Sequence, residues 1–148
     1  PVVAVVALSF LAAVQFHAIA AGGSTCTALI GGAEASKKLA PELVLFNTTS
    51  GTFSLDLTLR NAAGDVLVSR AGELDLGAFQ TLAVDLNEQL TRDLAPKTKP
   101  YEGVFSIEVS GDAPFGPNNV LVHLTQFHGK RKAPKAAFVL PATFRSDE

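Results

Sequence analysis

The side chains that could do chemistry in this chain are three histidines, one cysteine and scattered hydroxyl groups. A zinc site needs three or four convergent ligands, which an H-x-x-x-H pair or a cysteine pair would signal. His17 and His128 each end a QFH triplet and His123 lies in NVLVHLTQF, so no such spacing occurs. The histidines are therefore expected to be ordinary packed or surface residues, and neither a metal nor another cofactor is predicted.

Nucleophilic catalysis has no sequence signature either. Ser24 and Ser36 lack the strand–turn–helix context that activates a catalytic serine. Cys26 is the only cysteine, cannot form an internal disulfide, and is expected to be a small buried thiol. Asn47 begins an N-x-T sequon, which is relevant only in a host that glycosylates. The sequence predicts a protein that is not an enzyme.

A cluster of positive charge lies in GKRKAPK, residues 129–135. Its side chains form a solvated hairpin tip or an electrostatic contact with an acidic surface. The candidate contact residues are Lys130, Arg131, Lys132 and Lys135. The net charge of the whole chain is −2, so nucleic-acid binding is not predicted.

The elements that position these groups have the patterns of strands. In TFSLDLTLR, residues 52–60, large apolar and polar side chains alternate, which predicts a half-buried strand. NAAGD at 61–65 is typical of a tight turn. DLNEQLTRDL at 85–94 has leucines at helical spacing and a capping Asp85 or Asn87, which predicts a short helix. Further strands are predicted at 42–47, 66–70, 79–86, 101–111, 119–127 and 136–144.

Residues 1–23 form an almost uncharged apolar stretch, PVVAVVALSFLAAVQFHAIAAGG. Its length fits a membrane helix, but Gln15, His17 and the lack of flanking basic residues disfavour one. AIA resembles a signal-peptide cleavage site, although the basic start is missing. Valine enrichment and a weak likeness of residues 2–10 to 119–127 favour a pair of buried strands, with an anchoring or assembly helix as the alternative. Membrane contact is possible in this interpretation but not favoured.

These patterns divide the chain into three parts. The apolar segment 1–21 comes first, a glycine-rich linker or loop follows at 22–41, and a sandwich domain occupies 42–148. If the segment packs against its own or a neighbouring sandwich, its largest side chains form the interface. The predicted interface residues are Val3, Val5, Leu8, Phe10, Val14 and Phe16.

Three stretches together resemble bacterial surface β-sandwich modules. They are ELVLFNTTSGTFSLDLTLRNAAGDVL, LGAFQTLAVDLNEQL and YEGVFSIEVSGDAPFGPNNVLVHLTQFH, which lie within residues 42–128. The sensory rhodopsin transducer family looks similar in the same order. In this chain GDAPFGPNN is longer than the corresponding turn, and residues 1–35 have no counterpart. The resemblance implies an all-β, immunoglobulin-like antiparallel sandwich that binds or builds without catalysis, and it assigns no functional residue.

Two functions are compatible with these observations. The first is a structural subunit of an extracellular or cell-surface filament or array, in which copies self-associate through the apolar segment. The second is a recognition module that binds a carbohydrate or a protein partner through loops 111–119 and 129–135. The first function predicts polymers, whereas the second predicts monomers or small closed oligomers.

Overall fold

The computed structural model describes residues 24–92, 101–130 and 133–147. These residues form nine strands and one short helix. The elements are β1 (Thr25–Ala35), β2 (Leu39–Asn47), β3 (Phe53–Asn61), β4 (Val66–Leu76), β5 (Thr81–Asp85), α1 (Leu86–Arg92), β6 (Gly103–Asp112), β7 (Val120–Lys130), β8 (Ala133–Pro141) and β9 (Thr143–Asp147).

The strands form two antiparallel sheets. Sheet A has the order β4-β3-β6-β1-β9, and sheet B has the order β5-β2-β7-β8. The pairs β2–β5 and β3–β6 match the B–E and C–F pairs at the centre of an immunoglobulin-like sandwich. The flanking strands differ, because β1 lies beside β6 and β7 lies beside β2. The predicted all-β sandwich is confirmed.

The core lies between the two sheets and comes from the alternating positions of the strands. Leu55, Leu57 and Leu59 of β3 are buried, whereas the intervening Ser54 and Asp56 are exposed. Ile107 of β6 is paired with Leu59 and is fully buried. A period of two thus places every second side chain in the interior, as the sequence predicts.

The predicted local signals around β3 and α1 are confirmed. The Asn61 side-chain oxygen accepts hydrogen bonds from the Ala63 and Asp65 amides at 2.9 Å each, which closes the turn between β3 and β4. Asp85 Oδ1 accepts hydrogen bonds from the Asn87 amide at 3.0 Å and the Glu88 amide at 3.3 Å. Asp85 is therefore the N-cap of α1.

The prediction of a linker at 22–41 is wrong. Residues 25–35 form β1, which lies inside sheet A between β6 and β9. Apart from Ile30, small side chains such as Ala28 and Ala33 fill its inner positions, so the strand has few of the large apolar residues that usually reveal one. The pairing with β6 shifts register between Ile30 and Ala33, and Gly32 there has φ +77°, a conformation that favours glycine.

The strand predicted at 136–144 is two strands. β8 belongs to sheet B and β9 to sheet A, and Ala142 lies between them. The chain crosses from one sheet to the other at this position. The periodicity of the sequence contains no sign of the crossing, because Phe144 continues the apolar pattern against the core from the other sheet.

The apolar segment 1–21 lies outside the described residues, so its interpretation as strands or a helix stays a prediction. Within the described ranges, no helix has the length and apolar character needed to cross a membrane.

Candidate functional site: the outer face of sheet B

The outer face of sheet A is polar. Thr58 on β3 lies opposite Ser69 on β4 and Glu108 on β6, and Asp56 lies opposite Ser110. The Arg60 guanidinium and the Glu108 carboxylate form an ion pair with an Nε–Oε1 distance of 3.1 Å. Leu29 and Val104 are apolar exceptions in the strand register. This face has the composition expected of a surface that stays in water.

The outer face of sheet B is largely apolar, with one polar row in which Glu42 lies opposite Asp85 and Thr125. In the strand register, Phe46 lies opposite Thr81 and Leu121, and Val44 lies opposite Ala83 and His123. Directly opposite residues share one face of a sheet, so these side chains form a continuous surface. We call this surface the apolar face; its apolar members are Ala40, Val44, Phe46, Ala83, Leu121, Phe127, Ala137, Val139 and Pro141.

Two members of the apolar face are strongly exposed. Leu121 retains 55% and Val139 retains 58% of its accessible surface. A hollow of about 400 Å³ lies beside them and is lined mainly by apolar side chains, with His123 at its edge. The largest contiguous apolar patch on the surface of a soluble protein is often a site of interaction.

His123 belongs to this surface. It is half-buried between Val44 on β2 and Pro141 on β8. Across the described ranges, histidines, cysteines and carboxylates do not form a group of three that could bind a metal ion.

The loop between β6 and β7, predicted as a recognition loop, is anchored to the sandwich by its buried Phe115 and Gly116. Phe115 is buried and packs edge-on against Phe53, with ring centroids 6.2 Å apart. The Asn119 side chain donates a hydrogen bond to the Pro114 carbonyl at 2.5 Å, which closes the loop on itself. Residues 112–114 and 117–118 remain exposed to a partner.

A cleft lies on the other side of the same end of the sandwich. Its volume is about 490 Å³, and Ser54, Asp75 and Gln80 provide polar groups in its lining. The turn after β4 places Phe79 nearby, 63% exposed and with φ 53°, the left-handed region that non-glycine residues rarely adopt. The turn is fixed by a hydrogen bond from the Phe79 amide to the Thr49 carbonyl at 3.0 Å.

Replacing Phe79 by glycine is expected to raise the free energy of unfolding by about 0.5–1 kcal/mol. Glycine relieves the left-handed backbone conformation, and little packing is lost from so exposed a ring. Ala78→Gly is the matched control, because the φ of Ala78 is not positive and glycine there only adds freedom to the unfolded chain. Urea unfolding followed by circular dichroism measures both, and equal destabilisation by the two substitutions would contradict the expectation.

A third cavity of about 280 Å³ lies between α1 and the β1–β2 turn. Lys37, Asn87, Thr91 and Glu102 contribute its polar groups, and Leu90 and Tyr101 its apolar ones. The described lining contains neither histidine nor cysteine.

Most of the site residues predicted from the sequence lie outside the described part of the chain. This holds for Val3, Val5, Leu8, Phe10, Val14 and Phe16, for Arg131 and Lys132, and for the side chains of Lys130 and Lys135. The sequence reasoning missed the apolar face. The sequence does contain a signal for this face in ELVLF. Val44 and Phe46 occupy the alternate positions at which a strand with one face in water would carry polar residues.

Comparison with known proteins supports the fold alone. No protein-family model matches the chain, and no curated protein is similar to it in sequence. Among solved structures, the crystal structure of Thermotoga maritima 1070 is similar, with a TM-score of 0.56 and 12% sequence identity. The match covers 82% of this chain and 95% of the Thermotoga protein. The resemblance to bacterial surface modules and sensory rhodopsin transducers stays a prediction.

Proposed function

We propose that this protein is a non-catalytic structural subunit that assembles with copies of itself through the apolar face, as part of a cell-surface or extracellular filament or array. The observation behind the proposal is a difference between the two outer faces: sheet B groups Val44, Phe46, Leu121 and Val139 on one face, whereas on sheet A Leu29 and Val104 each lie opposite a glutamate. An exposed apolar patch of a few hundred Å² is often a site of interaction.

The apolar segment 1–21 is the proposed partner of this face. The Ser24 carbonyl accepts a hydrogen bond from the Ala113 amide at 3.2 Å, so the segment joins the sandwich beside the β6–β7 loop. The Asn119 carbonyl, at the other end of this loop, accepts a hydrogen bond from the Thr48 amide at 2.9 Å. Phe46 and Leu121 therefore begin the apolar face at the same end of the sandwich.

The segment is long enough to cover the face in either conformation. The face extends from Leu121 to Phe127, about 20 Å at roughly 3.3 Å per strand residue. Twenty residues measure about 30 Å as a helix and about 66 Å as an extended chain. The segment can reach the face of its own sandwich or that of a neighbouring copy.

The area of the face supports an interface that includes the segment. Four strands about 4.8 Å apart and roughly 20 Å long give a flat area of about 400 Å². A stable protein interface takes about 800 Å² from each partner. The face by itself falls short of this value, and an apolar segment packed across it supplies additional area.

The proposal is tested by the mass of the particle in solution. Light scattering of the full chain is expected to show oligomers, and Leu121→Ser with Val139→Thr is expected to weaken their association about 100-fold, because two exposed apolar side chains are worth roughly 3 kcal/mol when buried. Val66→Ser is the matched control, since Val66 is 51% exposed but lies on β4 of sheet A.

Deletion of residues 1–21 provides a second arm of this test. The shortened chain is expected to stay soluble and to form nothing larger than a dimer, and electron microscopy of the full chain is expected to show filaments or arrays. A full chain that is monomeric at about 100 μM would overturn the proposal, as would assembly that is equally tight in the double variant.

A second candidate function is recognition of a carbohydrate or a protein partner, and the Phe79 turn favours it. A strained exposed ring beside a polar cleft with Asp75 and Gln80 combines an apolar surface with hydrogen-bonding groups. Binding to a glycan array or a partner library that Phe79→Ala abolishes, in a protein that remains monomeric, would favour this function over assembly.

A further inference from the structure

The outermost strand of sheet B differs from the other sheet edges of the described chain. β8 pairs with β7 on one side and is the last strand in the order of sheet B. Its residues Ala136 to Val139 are all exposed. Phe138 lies opposite Gln126 on the inner side of the sheet, and Val139 lies opposite Thr125 on the outer side. Both sides of this edge strand are therefore apolar.

The other edges have features that discourage pairing with another chain. β4 contains Arg70, Glu73 and Asp75, and β5 and β9 are only five residues long. Charged side chains and short strands are the usual protections of a sheet edge. β8 carries Pro134 and Lys135 at its start and Pro141 at its end, and the stretch between them, Ala136 to Leu140, contains neither a charged residue nor a proline. An exposed apolar edge of this kind is a template for another strand.

We propose that β8 pairs antiparallel with β8 of a second copy of this chain, around a two-fold axis at Phe138. The two four-stranded sheets B then form one eight-stranded sheet. This inference rests on the proposed function, because it names the contact through which two subunits first associate.

The side-chain sizes of β8 favour this register. With Phe138 opposite Phe138 of the second copy, Ala137 lies opposite Val139 and Ala136 lies opposite Leu140. Large side chains then face small ones on both sides of the sheet, and like residues meet only at the axis. A two-fold axis perpendicular to the sheet also keeps the outer face of one copy continuous with the outer face of the other.

The pairing accounts for the size of the apolar face. Joining two sheets edge to edge doubles the continuous apolar surface to about 800 Å², the area that a stable interface takes from one partner. The exposed Phe138 rings, at 48% accessibility in the single chain, cover each other at the axis. The joined faces then form the platform on which the apolar segments pack.

The test is a disulfide between two copies at the axis. Opposite residues in an antiparallel pair have Cβ atoms about 4.5–5.5 Å apart, close to the separation in a disulfide, whereas diagonal neighbours are about 7–8 Å apart. Mild oxidation of Phe138→Cys is expected to convert more than half of the protein into covalent dimers. Ala137→Cys, on the same strand, and Val66→Cys, on β4, are expected to give at least five-fold less. Buried Cys26 is present in every variant, and the unmodified protein reports its background.

A second variant tests the same contact without oxidation. Phe138→Lys places a charge on the edge and is expected to weaken dimerisation at least ten-fold in analytical ultracentrifugation. Oligomers that form normally, with equal cross-linking of the Phe138→Cys and Val66→Cys variants and no effect of Phe138→Lys, would overturn the β8 pairing and leave the proposed function standing. A full chain that never associates would overturn both.

Discussion

Replacing Asn47 by aspartate is expected to lower the free energy of unfolding by about 4 kcal/mol. The Asn47 side chain is fully buried at the end of β2. Its Nδ2 donates hydrogen bonds to the Gly51 carbonyl at 2.7 Å and the Gly77 carbonyl at 2.8 Å. Its Oδ1 accepts hydrogen bonds from the Thr49 amide and hydroxyl, both at 2.9 Å. Both the amide nitrogen and the amide oxygen of the Asn47 side chain are thus engaged, each in two hydrogen bonds.

The loss exceeds that of an ordinary hydrogen bond. An ionised aspartate donates no hydrogen bond, so one of its oxygens would face the Gly51 and Gly77 carbonyl oxygens in a buried site. Two carbonyl groups are left without their donor at about 1–3 kcal/mol each, and a buried charge adds to the cost. The network also joins β2 to the turn before β5, so its loss weakens the connection between two strands of sheet B.

Asn61→Asp is the matched control for this substitution. Asn61 Oδ1 accepts hydrogen bonds from two amides in an exposed turn, and a carboxylate can accept the same bonds in water. This substitution is expected to lower the free energy of unfolding by less than about 1 kcal/mol. Its only unfavourable change is at the exposed contact with Asp65, where a hydrogen bond is replaced by repulsion between two carboxylates. Urea unfolding followed by circular dichroism compares the two, and the explanation fails if their midpoints shift equally. The burial of Asn47 also shows that its sequon does not offer an accessible side chain to a glycosylating enzyme in the folded protein.

Features that depend on a few neighbouring residues could be predicted from the sequence. The alternation in residues 52–60 determines which side chains of β3 face the core. Successive side chains of a strand point to opposite sides, so one phenylalanine and three leucines at a period of two all lie on one face. The turn at Asn61 and the cap at Asp85 each rest on one side chain that bonds to backbone amides two to four residues away. Such signals are complete within a short stretch of chain.

Features that depend on distant residues could not be predicted in the same way. β1 is recognisable as a strand only beside β6, where Ala28 lies opposite Val109 and Ile30 opposite Ile107. Its alanines and glycines have low strand propensity, and the larger residues of the partner strand fill the space they leave. The order of the strands in each sheet, and the crossing at Ala142, likewise follow from packing between segments far apart in sequence.

For the same reason, the sequence indicates only part of the candidate site. An uninterrupted apolar run such as LVLF, residues 43–46, predicts a strand buried on both sides, and the sequence does not say what covers the second side. The structure places Val44, Leu121 and Val139 on one outer face from three different strands. The apolar segment proposed to cover that face was recognised by its own composition. The face itself becomes apparent only from the pairing register of the strands, so the sequence alone does not connect the segment with it.

Introducing a side chain at Gly111 is expected to destabilise the fold by about 2 kcal/mol for alanine and about 3 kcal/mol for valine. Gly111 on β6 lies opposite Cys26 of β1, and its missing side chain would point into the core. A Cβ atom there would overlap Leu55 Cδ2 and lie 3.3 Å from Phe115 Cβ. Leu55 and Phe115 are both buried, so neither can move without disturbing its own neighbours.

The comparison with a second glycine isolates this close contact. Gly31 also lies in a strand of sheet A, and a Cβ built there has no neighbouring atom within 4 Å. Gly31→Ala is expected to leave stability within about 0.5 kcal/mol or to raise it, since alanine restricts the unfolded chain. Thermal and urea unfolding of Gly111→Ala, Gly111→Val and Gly31→Ala measure the difference. Because the Phe115 loop ends at Asn119 beside Thr48, displacement of Phe115 is also expected to loosen the end of the sandwich where the apolar segment begins. Assembly should therefore weaken in the Gly111 variants and remain unchanged in Gly31→Ala, and an unfolding midpoint for Gly111→Val equal to that for Gly31→Ala would contradict the overpacking explanation.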